Sequence, residues 1–325
     1  MSASEPTPDP NPTPEAIREL AEAVPAGVRF GSSSWTYPGW KGLVYSRDYP
    51  AAGASAKMLA EYARFPLFTT VGIDSSFYGP PTEKSLKAYA QALPPGFPCV
   101  SKVWERITVH TFAGPREKAR AGQRNPDFLN ADIFRNEVWT LYAEHFRAHA
   151  GPFVFEFQTL PDRVMPDEFL GRLDAFLDRL PPEGRYAVEV RNAEFLTPAY
   201  FAVLRAHDVA HVFSSWTRMP SIGMQLDLPD SVPATFLVAR ALLRPGRYYE
   251  DAVDLFAPYD RIQDPNAELR NDLVRLVDLA ASLRIPAYIL VNNRAEGSAP
   301  LTIIAVAGLL AGRAASPAAG KSRTG

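Results

Sequence analysis

The sequence is poor in the residues that most often form cross-links or bind metal ions. Its 325 residues include one cysteine, Cys99, and five histidines. A single cysteine cannot form a disulfide within the chain, which is typical of a reducing compartment. Five histidines disfavour a histidine-rich dinuclear centre, although Asp and Glu oxygens would still suit Mg²⁺. We therefore expect a cytoplasmic location and predict no metal site.

Long apolar runs and an excess of either charge are also missing. No apolar stretch approaches the roughly 18 residues that a membrane-spanning helix needs. Residues 1–20 contain prolines and acidic residues instead of the basic start and apolar core of an export signal. Lys and Arg number 34 against 36 Asp and Glu, a formal net charge of -2. We expect no membrane association and no nonspecific coating of nucleic acid.

The sequence does contain eight short apolar runs of β type, which alternate with helical stretches. Eight is the number that a (β/α)₈ barrel requires. The predicted fold is α/β, a single TIM-like barrel over residues 27–313, with a partly disordered lead-in over 1–26 and a disordered tail over 314–325. The predicted strands are Val28–Trp35, Phe68–Phe77, Pro98–Trp104, Pro152–Gln158, Tyr186–Asn192, His211–Trp216, Thr235–Leu242 and Pro286–Asn293.

Seven connecting segments have the apolar spacing or the capping signals of helices. They are Ser55–Phe65, Thr82–Leu93, Asn130–His149, Pro166–Leu180, Thr197–His207, Ala267–Leu283 and Ala299–Ala311. The sixth connection, Thr217–Pro233, contains three prolines and Gly223. Prolines interrupt helices, so we predict an irregular sixth unit there.

Charged residues at the strand ends are the main functional signal, because TIM-barrel active sites lie at the carboxyl ends of the strands. Glu189 and Arg191 are two positions apart in strand five and share one face. Lys102 lies near the end of strand three, and Asp74 follows the apolar run of strand two. We assign Glu189, Asp74 and Lys102 to catalysis and expect Arg191 to bind a ligand. Each residue also has a purely structural interpretation. Glu189 and Arg191 would form a buried ion pair, Lys102 would be solvated, and Asp74 would cap the next turn.

Polar residues end two further strands. Glu156 and Gln158 share one face of strand four, and Asn292 and Asn293 end strand eight. We expect the two asparagines to donate hydrogen bonds to a ligand. Polar groups contributed by several strand ends are typical of barrel enzymes.

The loop after strand one combines hydroxyls with aromatic rings. Trp35 and Tyr37 would suit stacking against a sugar ring or a base, although a packed surface loop has the same composition. His110 is the only histidine on the predicted functional face. We therefore add His110 to the catalytic candidates and the two aromatic residues to the ligand-binding candidates.

Five motifs give the chain a resemblance to a known family. They are GSSSWTYPGWKG at 31–42, IDSSFYGPPT at 73–82, SKVWERITVH at 101–110, AVEVRN at 187–192 and NNRAEGSAP at 292–300. In this combination and order, the chain resembles the YecE-like family, also called domain of unknown function 72. The resemblance implies a TIM-like barrel, compared by structural analogy with endonuclease IV-like and xylose isomerase-like barrels.

The resemblance also implies a set of motif positions. They are Trp35, Tyr37, Asp74, Phe77, Tyr78, Lys102, His110, Glu189, Arg191, Asn292 and Asn293. The chain departs from the family pattern in two strands. Strand two has Gly72 and Asp74 where relatives often carry a Glu and an Asn, and strand seven lacks a histidine but retains Arg240. Tyr78 and Arg240 complete our ligand-binding candidates.

Together these residues predict that the carboxyl rim binds an anionic, hydroxyl-rich small molecule or nucleotide fragment. An enzyme, with hydrolysis or isomerisation as the reaction, is the leading interpretation. Lys102, Arg191 and Arg240 would hold the anion. No Walker loop and no G-x-G-x-x-G fingerprint occurs in the sequence, so no cofactor is implied.

Two other functions remain open. In the first, the barrel binds or processes nucleic acid through the aromatic loop and the basic segment Arg116–Arg124, with an affinity that falls steeply with salt. In the second, the protein is a noncatalytic interaction partner that uses the long polar loop Glu105–Leu129.

Overall fold

Eight parallel strands form the centre of the molecule in the computed structural model, which describes residues 11–50, 52–112, 118–161 and 164–315. Their order around the sheet is β1-β8-β7-β6-β5-β4-β3-β2. The strands are β1 (Val28–Ser32), β2 (Val71–Ile73), β3 (Cys99–Lys102), β4 (Ala150–Phe157), β5 (Tyr186–Val190), β6 (Ala210–Ser215), β7 (Leu237–Ala241) and β8 (Ala287–Val291). This nearly closed α/β barrel confirms the predicted fold.

β1 and β2 lie side by side where the barrel closes. The carbonyl oxygen of Phe30 accepts hydrogen bonds from the backbone N–H groups of Thr69 at 2.9 Å and Thr70 at 3.3 Å. Gly31 permits this approach, because a Cβ at that position would lie 2.0 Å from the carbonyl oxygen of Thr70. Any side chain at position 31 would therefore push the two strands apart.

Helices form the outer layer around the strands. They are α1 (Pro14–Glu22), α2 (Ser55–Tyr62), α3 (Glu83–Ala92), α4 (Glu105–Thr108), α5 (Ala131–Ile133), α6 (Thr140–His145), α7 (Pro166–Leu177), α8 (Pro198–Ala206), α9 (Ile222–Leu226), α10 (Tyr249–Phe256), α11 (Ala267–Leu283) and α12 (Ala299–Ala315). Within the described part of the chain, none is long and apolar enough to span a membrane.

The main core lies between the strands and this outer layer. On β4, for example, Phe155 packs against Phe134 and Phe176, with ring centroids 5.3 and 5.0 Å apart. Such contacts use the outward-facing residues of each strand, so the inward-facing residues remain available for the interior of the barrel.

The sixth unit is irregular, as predicted. Its helix, α9, has only five residues, and the Ser221 hydroxyl accepts a hydrogen bond from the backbone N–H of Met224 at its start. Proline precedes this short helix at Pro220 and follows it at Pro229. Neither proline can donate a backbone hydrogen bond within a helix, which accounts for the short element.

Two other connections and one strand differ from the predicted ones. The predicted third helix consists of α5, a π-helical turn at Phe134–Trp139 and α6, and it ends at His145. Helix α10 in the connection after β7 was not predicted. The predicted strand over 68–77 is shorter, because a 3-10 turn begins at Asp74 directly after β2.

The structure also refines the ends of the chain. Residues 1–10 and 316–325 lie outside the described ranges, so the predicted terminal disorder is not assessed there. Part of the lead-in is helical: the Thr13 hydroxyl accepts from the backbone N–H of Ala16 at the start of α1, and Ile17 is buried. Helix α12 extends to Ala315, beyond the predicted end at Ala311.

Candidate functional site

A cavity of about 640 Å³ opens at the carboxyl ends of the strands. This volume falls within the range of roughly 300–1,000 Å³ typical of small-molecule sites. Charged side chains from several strands contribute to its surface. They are Asp74, Lys102, Glu156, Arg191, Arg240 and Arg294. The parallel topology brings them together, because every strand ends at the same rim.

Arg240 on β7 is the centre of the cavity floor and is only 2% exposed. Its Nη2 donates a hydrogen bond to Asp74 Oδ2 at 2.7 Å, and its Nη1 donates to Glu156 Oε2 at 2.7 Å and to Glu189 Oε2. The three carboxylates come from different strands or strand ends. Together they raise the pKa of Arg240 well above its ordinary value, despite burial that lowers it, so this guanidinium is permanently charged.

Glu156 on β4 is shared by all three cations of the floor. In addition to Arg240, its Oε2 lies 2.9 Å from Lys102 Nζ and 3.0 Å from Arg191 Nη2. Burial raises the pKa of Glu156, but the attraction of Lys102, Arg191 and Arg240 outweighs it and holds the pKa well below its usual value. An ionised carboxylate held in this way is a poor proton acceptor at neutral pH.

Aromatic rings support two of the cations. Lys102 Nζ lies 3.8 Å from the ring centroid of Phe77, and the guanidinium carbon of Arg191 lies 4.0 Å from the ring of Trp216. Both distances are within the range of cation–π attraction. The rings restrict the positions of the two cations at the cavity.

The walls of the cavity are mostly polar and uncharged. Hydroxyl and amide groups come from Ser33, Ser34, Ser75, Gln158, Thr159 and Asn292. Two tyrosines stand at the edge, Tyr37 with its ring against Tyr259 at 5.5 Å and Tyr78 with 58% of its surface exposed. These groups can both donate and accept hydrogen bonds, as recognition of ligand hydroxyls requires.

Most of the predicted site residues meet at this cavity. Its lining includes Tyr37, Asp74, Tyr78, Lys102, Arg191, Arg240 and Asn292. Glu189 lies beneath the surface with no exposed area, in an ion pair with Arg191 Nη2 at 2.7 Å as well as with Arg240. The predicted catalytic carboxylate Glu189 is thus part of the floor and not of the lining.

Besides Glu189, three predicted site residues do not line the cavity. Trp35 is buried, its indole N–H donates to the carbonyl oxygen of Ser55 at 2.8 Å, and its ring packs against a tyrosine of α3. His110 packs edge-on against Phe128 at 5.0 Å.

The third is Asn293. Its Oδ1 accepts hydrogen bonds from Trp40 Nε1 at 3.2 Å and from the backbone N–H of Ala299 at 2.8 Å. The amide therefore joins the first loop to the start of α12. Its neighbour Asn292 is the strand-eight amide that faces the cavity.

Sequence reasoning noted Glu156 but did not assign it to the site, and it assigned no role to Phe77 or Trp216. The alternation of charged and apolar residues in strand four was the available signal for Glu156, because the same pattern identified Glu189 in strand five. No sequence signal pairs Trp216 with Arg191, since the two residues come from different strands.

The departure at Gly72 has a steric explanation. A Cβ at this position would lie 2.7 Å from the carbonyl oxygen of Ser33, so a glutamate could not be accommodated without movement of the neighbouring backbone. Two residues later, Asp74 has space to reach Arg240. The acidic group of this strand end therefore occupies the next inward-facing position.

The three carboxylates of the floor converge on a guanidinium. Within the described ranges, no group of three or more His, Cys, Asp or Glu side chains is arranged to hold a metal ion.

The basic segment Arg116–Arg124, which was predicted to bind nucleic acid, is described only in part, because Arg116 lies outside the described ranges. Of its described residues, Arg124 forms an ion pair with Glu168 at 3.6 Å.

Solved structures support the fold. A DUF72 family protein from Enterococcus faecalis superposes with a TM-score of 0.63 at 16% identity, over 87% of this chain and 95% of that one. A DUF72 family protein from Thermotoga maritima gives 0.60 at 19% identity, over 87% and 98%. No curated protein matches the sequence. At these identities the likeness to the solved structures shows a shared architecture and nothing about activity.

The sequence itself matches the family described as protein of unknown function DUF72 over residues 29–323. This range includes seven strands in full, all of β1 except Val28, and every charged residue of the cavity floor. The resemblance drawn from the five motifs is thereby confirmed, and the chain belongs to the DUF72 family.

Proposed function

We propose that the protein is an enzyme that binds a small, hydroxyl-rich anion in the cavity at the carboxyl end of the barrel. The observation that carries this proposal is the convergence of Lys102, Arg191 and Arg240 on one cavity floor beneath walls of hydroxyl and amide groups. Cations with N–H donors to spare suit an oxyanion, and the polar walls suit hydroxyls.

Asp74 is the carboxylate best suited to accept a proton from the ligand. Its side chain is 26% exposed, whereas those of Glu156 and Glu189 are 9% and 0% exposed. Arg240 holds Oδ2, and Oδ1 is buried without a hydrogen-bond partner among the described residues. In this proposal Asp74 is the catalytic base, and the two glutamates are positioning residues.

Proton transfer of this kind serves both hydrolysis and isomerisation, so the proposal includes both classes. Lys102, Arg191 and Arg240 would bind the anionic end of the substrate, and Asn292 would bind a hydroxyl. His110 has no assigned step, because it does not line the cavity.

Isothermal titration calorimetry with a panel of sugars, sugar acids, sugar phosphates and nucleotides tests the proposal. We expect at least one hydroxyl-rich anion to bind, and we expect Arg191→Ala and Lys102→Ala each to weaken that binding at least tenfold. Arg18→Ala is the matched control, because Arg18 is exposed and forms an ion pair with Glu15 on α1, away from the cavity lining. Circular dichroism verifies that each variant is folded.

Absence of binding by every member of the panel would contradict the proposal. Binding that Arg191→Ala and Lys102→Ala leave unchanged would place the ligand elsewhere. An oligonucleotide that binds with an affinity falling steeply with salt would instead favour the nucleic-acid function. Turnover of the bound ligand, abolished by Asp74→Asn in the folded protein, is the expected evidence for catalysis.

A further inference from the structure

The charges of the cavity floor limit the charge that a ligand can bring. Three cations, Lys102, Arg191 and Arg240, face three carboxylates, and each cation lies within 3.0 Å of a carboxylate oxygen. The carboxylates are Asp74, Glu156 and Glu189. Positive and negative charges are therefore equal in number among these six groups.

Arg294 adds one more positive charge to the cavity lining. The excess of positive charge among the described groups that line or floor the cavity is thus at most one. Any acidic partner of Arg294 would lower this excess further. A ligand that brings two negative charges would consequently leave at least one of them without a counter-ion.

The cations nevertheless have N–H donors beyond those used in the ion pairs. An ammonium has three N–H groups and a guanidinium has five. Arg191 contacts the carboxylates through Nη2, while its Nη1 is buried without a hydrogen-bond partner among the described residues. The planar guanidinium, with Trp216 against its face, matches the geometry of a carboxylate group. The floor therefore offers hydrogen bonds for an oxyanion but little surplus charge.

These constraints separate a carboxylate from a phosphate. A phosphate monoester carries roughly 1.5 to 2 negative charges at pH 7, whereas a carboxylate carries one. The floor is poorly hydrated, since the side chains of Lys102 and Arg191 are only 11% and 5% exposed. An unmatched charge is costly in such a place. The carboxylates of Asp74 and Glu156, which also line the cavity, would repel the second charge of a phosphate.

We infer that the ligand of this cavity is a polyhydroxy carboxylate, that is, a sugar acid of about monosaccharide size, and not a sugar phosphate. The inference rests on the proposed function and specifies its substrate class. The carboxylate of the ligand lies against Lys102 and Arg191. Its hydroxyls face the polar groups of the walls, including Ser34, Thr159 and Asn292.

Two matched sets of sugars test this inference by calorimetry at pH 7.5 and constant ionic strength. One set is glucuronate, glucose and glucose-6-phosphate, and the other is galacturonate, galactose and galactose-6-phosphate. Within each set the ring is the same and only the group on the terminal carbon differs. We expect a uronate to bind at least tenfold more tightly than both the neutral sugar and the phosphate of its set.

The possible outcomes distinguish this inference from the proposed function. If a sugar phosphate or a neutral sugar binds as tightly as the uronate and Arg191→Ala abolishes that binding, the sugar-acid inference is wrong and the proposed function stands. If no member of either set binds, the sugar-acid inference is wrong. The proposed function then stands if another hydroxyl-rich anion of the wider panel binds, and it is contradicted if none does.

Charge variants give an independent test. Glu156→Gln removes one negative charge from the floor, so we expect the preference for uronate over phosphate to fall at least tenfold. Asp74→Asn removes a negative charge from the more exposed carboxylate, so the preference for uronate over phosphate should fall in this variant too. It allows the same measurement if Glu156→Gln does not fold. Glu19→Gln, on the exposed side of α1, is the control. An unchanged preference in a folded Asp74→Asn variant would overturn the charge argument.

Discussion

The two ends of the barrel interior have opposite chemistry although the same strands form both. At the amino end the inward-facing residues form an apolar cluster that includes Val100, Val154, Ala187, Val238 and Leu290. Two residues further along each of these strands, the inward-facing residue is polar or charged. These residues are Lys102, Glu156, Glu189, Arg240 and Asn292.

The apolar layer that packs the barrel interior and the charged layer that forms the cavity floor are therefore only two residues apart along each of these strands. Residues i and i+2 of a strand face the same side, so each of these five strands places a residue of the packed layer two positions before a polar or charged residue at the cavity end. The packed layer closes the amino end. The charged layer can therefore be buried on one side and open to the cavity on the other.

Substitutions in adjacent layers of β7 should show the largest difference. We expect Arg240→Ala to lower the free energy of unfolding by about 3–5 kcal/mol, because three buried or half-buried carboxylates lose their common partner. Val238→Ala should cost about 2 kcal/mol through lost burial and a small cavity. Urea denaturation followed by circular dichroism measures both. Equal decreases in the free energy of unfolding would mean that the ion pairs of Arg240 contribute no more to stability than the apolar packing of Val238.

A second prediction concerns the outer face of β6, where His211 is an exception to apolar packing. It lies between Tyr200 and Gln225. Burial lowers the pKa of His211 to about 4, and the hydrogen bond that His211 Nε2 donates to Gln225 Oε1 opposes this only in part. The unfolded chain binds a proton near pH 6.5, whereas the folded protein stays neutral at this site until about pH 4.

The resulting stability is fully present above about pH 6.5 and decreases as the pH falls towards 4. At pH 5 the loss should be about 2 kcal/mol relative to pH 7. His211→Gln removes the titrating group and should flatten the curve of unfolding free energy between pH 6.5 and 4. A variant that loses stability as steeply as the wild type over this interval would assign the acid sensitivity to other groups.

Glu156, in the charged layer, should titrate in a lower pH interval than His211. Burial raises the pKa of Glu156, but its three cations hold the pKa well below the usual value. Its contribution is therefore complete above about pH 4.5 and is lost as the pH falls through the folded-state pKa, at up to about 1.4 kcal/mol per pH unit. Glu156→Gln should reduce the slope between pH 5 and 3, and Glu19→Gln should not. Equal slopes in all three proteins would remove Glu156 from the acid response.

The smallest effect is expected at Trp35, which follows β1 but packs away from the cavity. Trp35→Phe should lower stability by about 1 kcal/mol, because the hydrogen bond to Ser55 is lost. Affinity for the ligand should stay within about twofold of wild type, since Trp35 does not line the cavity. Trp216→Phe, at the ring that supports Arg191, should weaken binding more. The reverse order would show that the first loop, and not Trp216, contacts the ligand.

Local patterns were sufficient to predict most of the fold. The apolar runs identified all eight strands, because an inward and an outward apolar layer make each strand nearly continuously hydrophobic. Thr82 and Thr197 cap α3 and α8, as their positions before helical segments indicated. Strand lengths were less predictable, since pairing with neighbours determines where each strand ends.

The site was predictable in part for the same reason. Residue type and strand position identified Asp74, Lys102 and Arg191 as candidates for one rim. Trp35 was misleading, because an aromatic residue in a rim loop can pack outward as easily as it can face a ligand. No local pattern shows the direction of a loop side chain, which depends on the helices that pack against it.

The sequence by itself determined the family, the number of strands, the irregular sixth unit and the rim at which charged groups would gather. Only the tertiary structure decided that Arg240 binds three carboxylates and that Glu156 is shared by three cations. Glu156 is separated from Arg191 by 35 residues and from Arg240 by 84. Periodicity states which face of a strand a residue occupies, but distances across the barrel depend on its closure, and those distances determine the charge balance of the cavity.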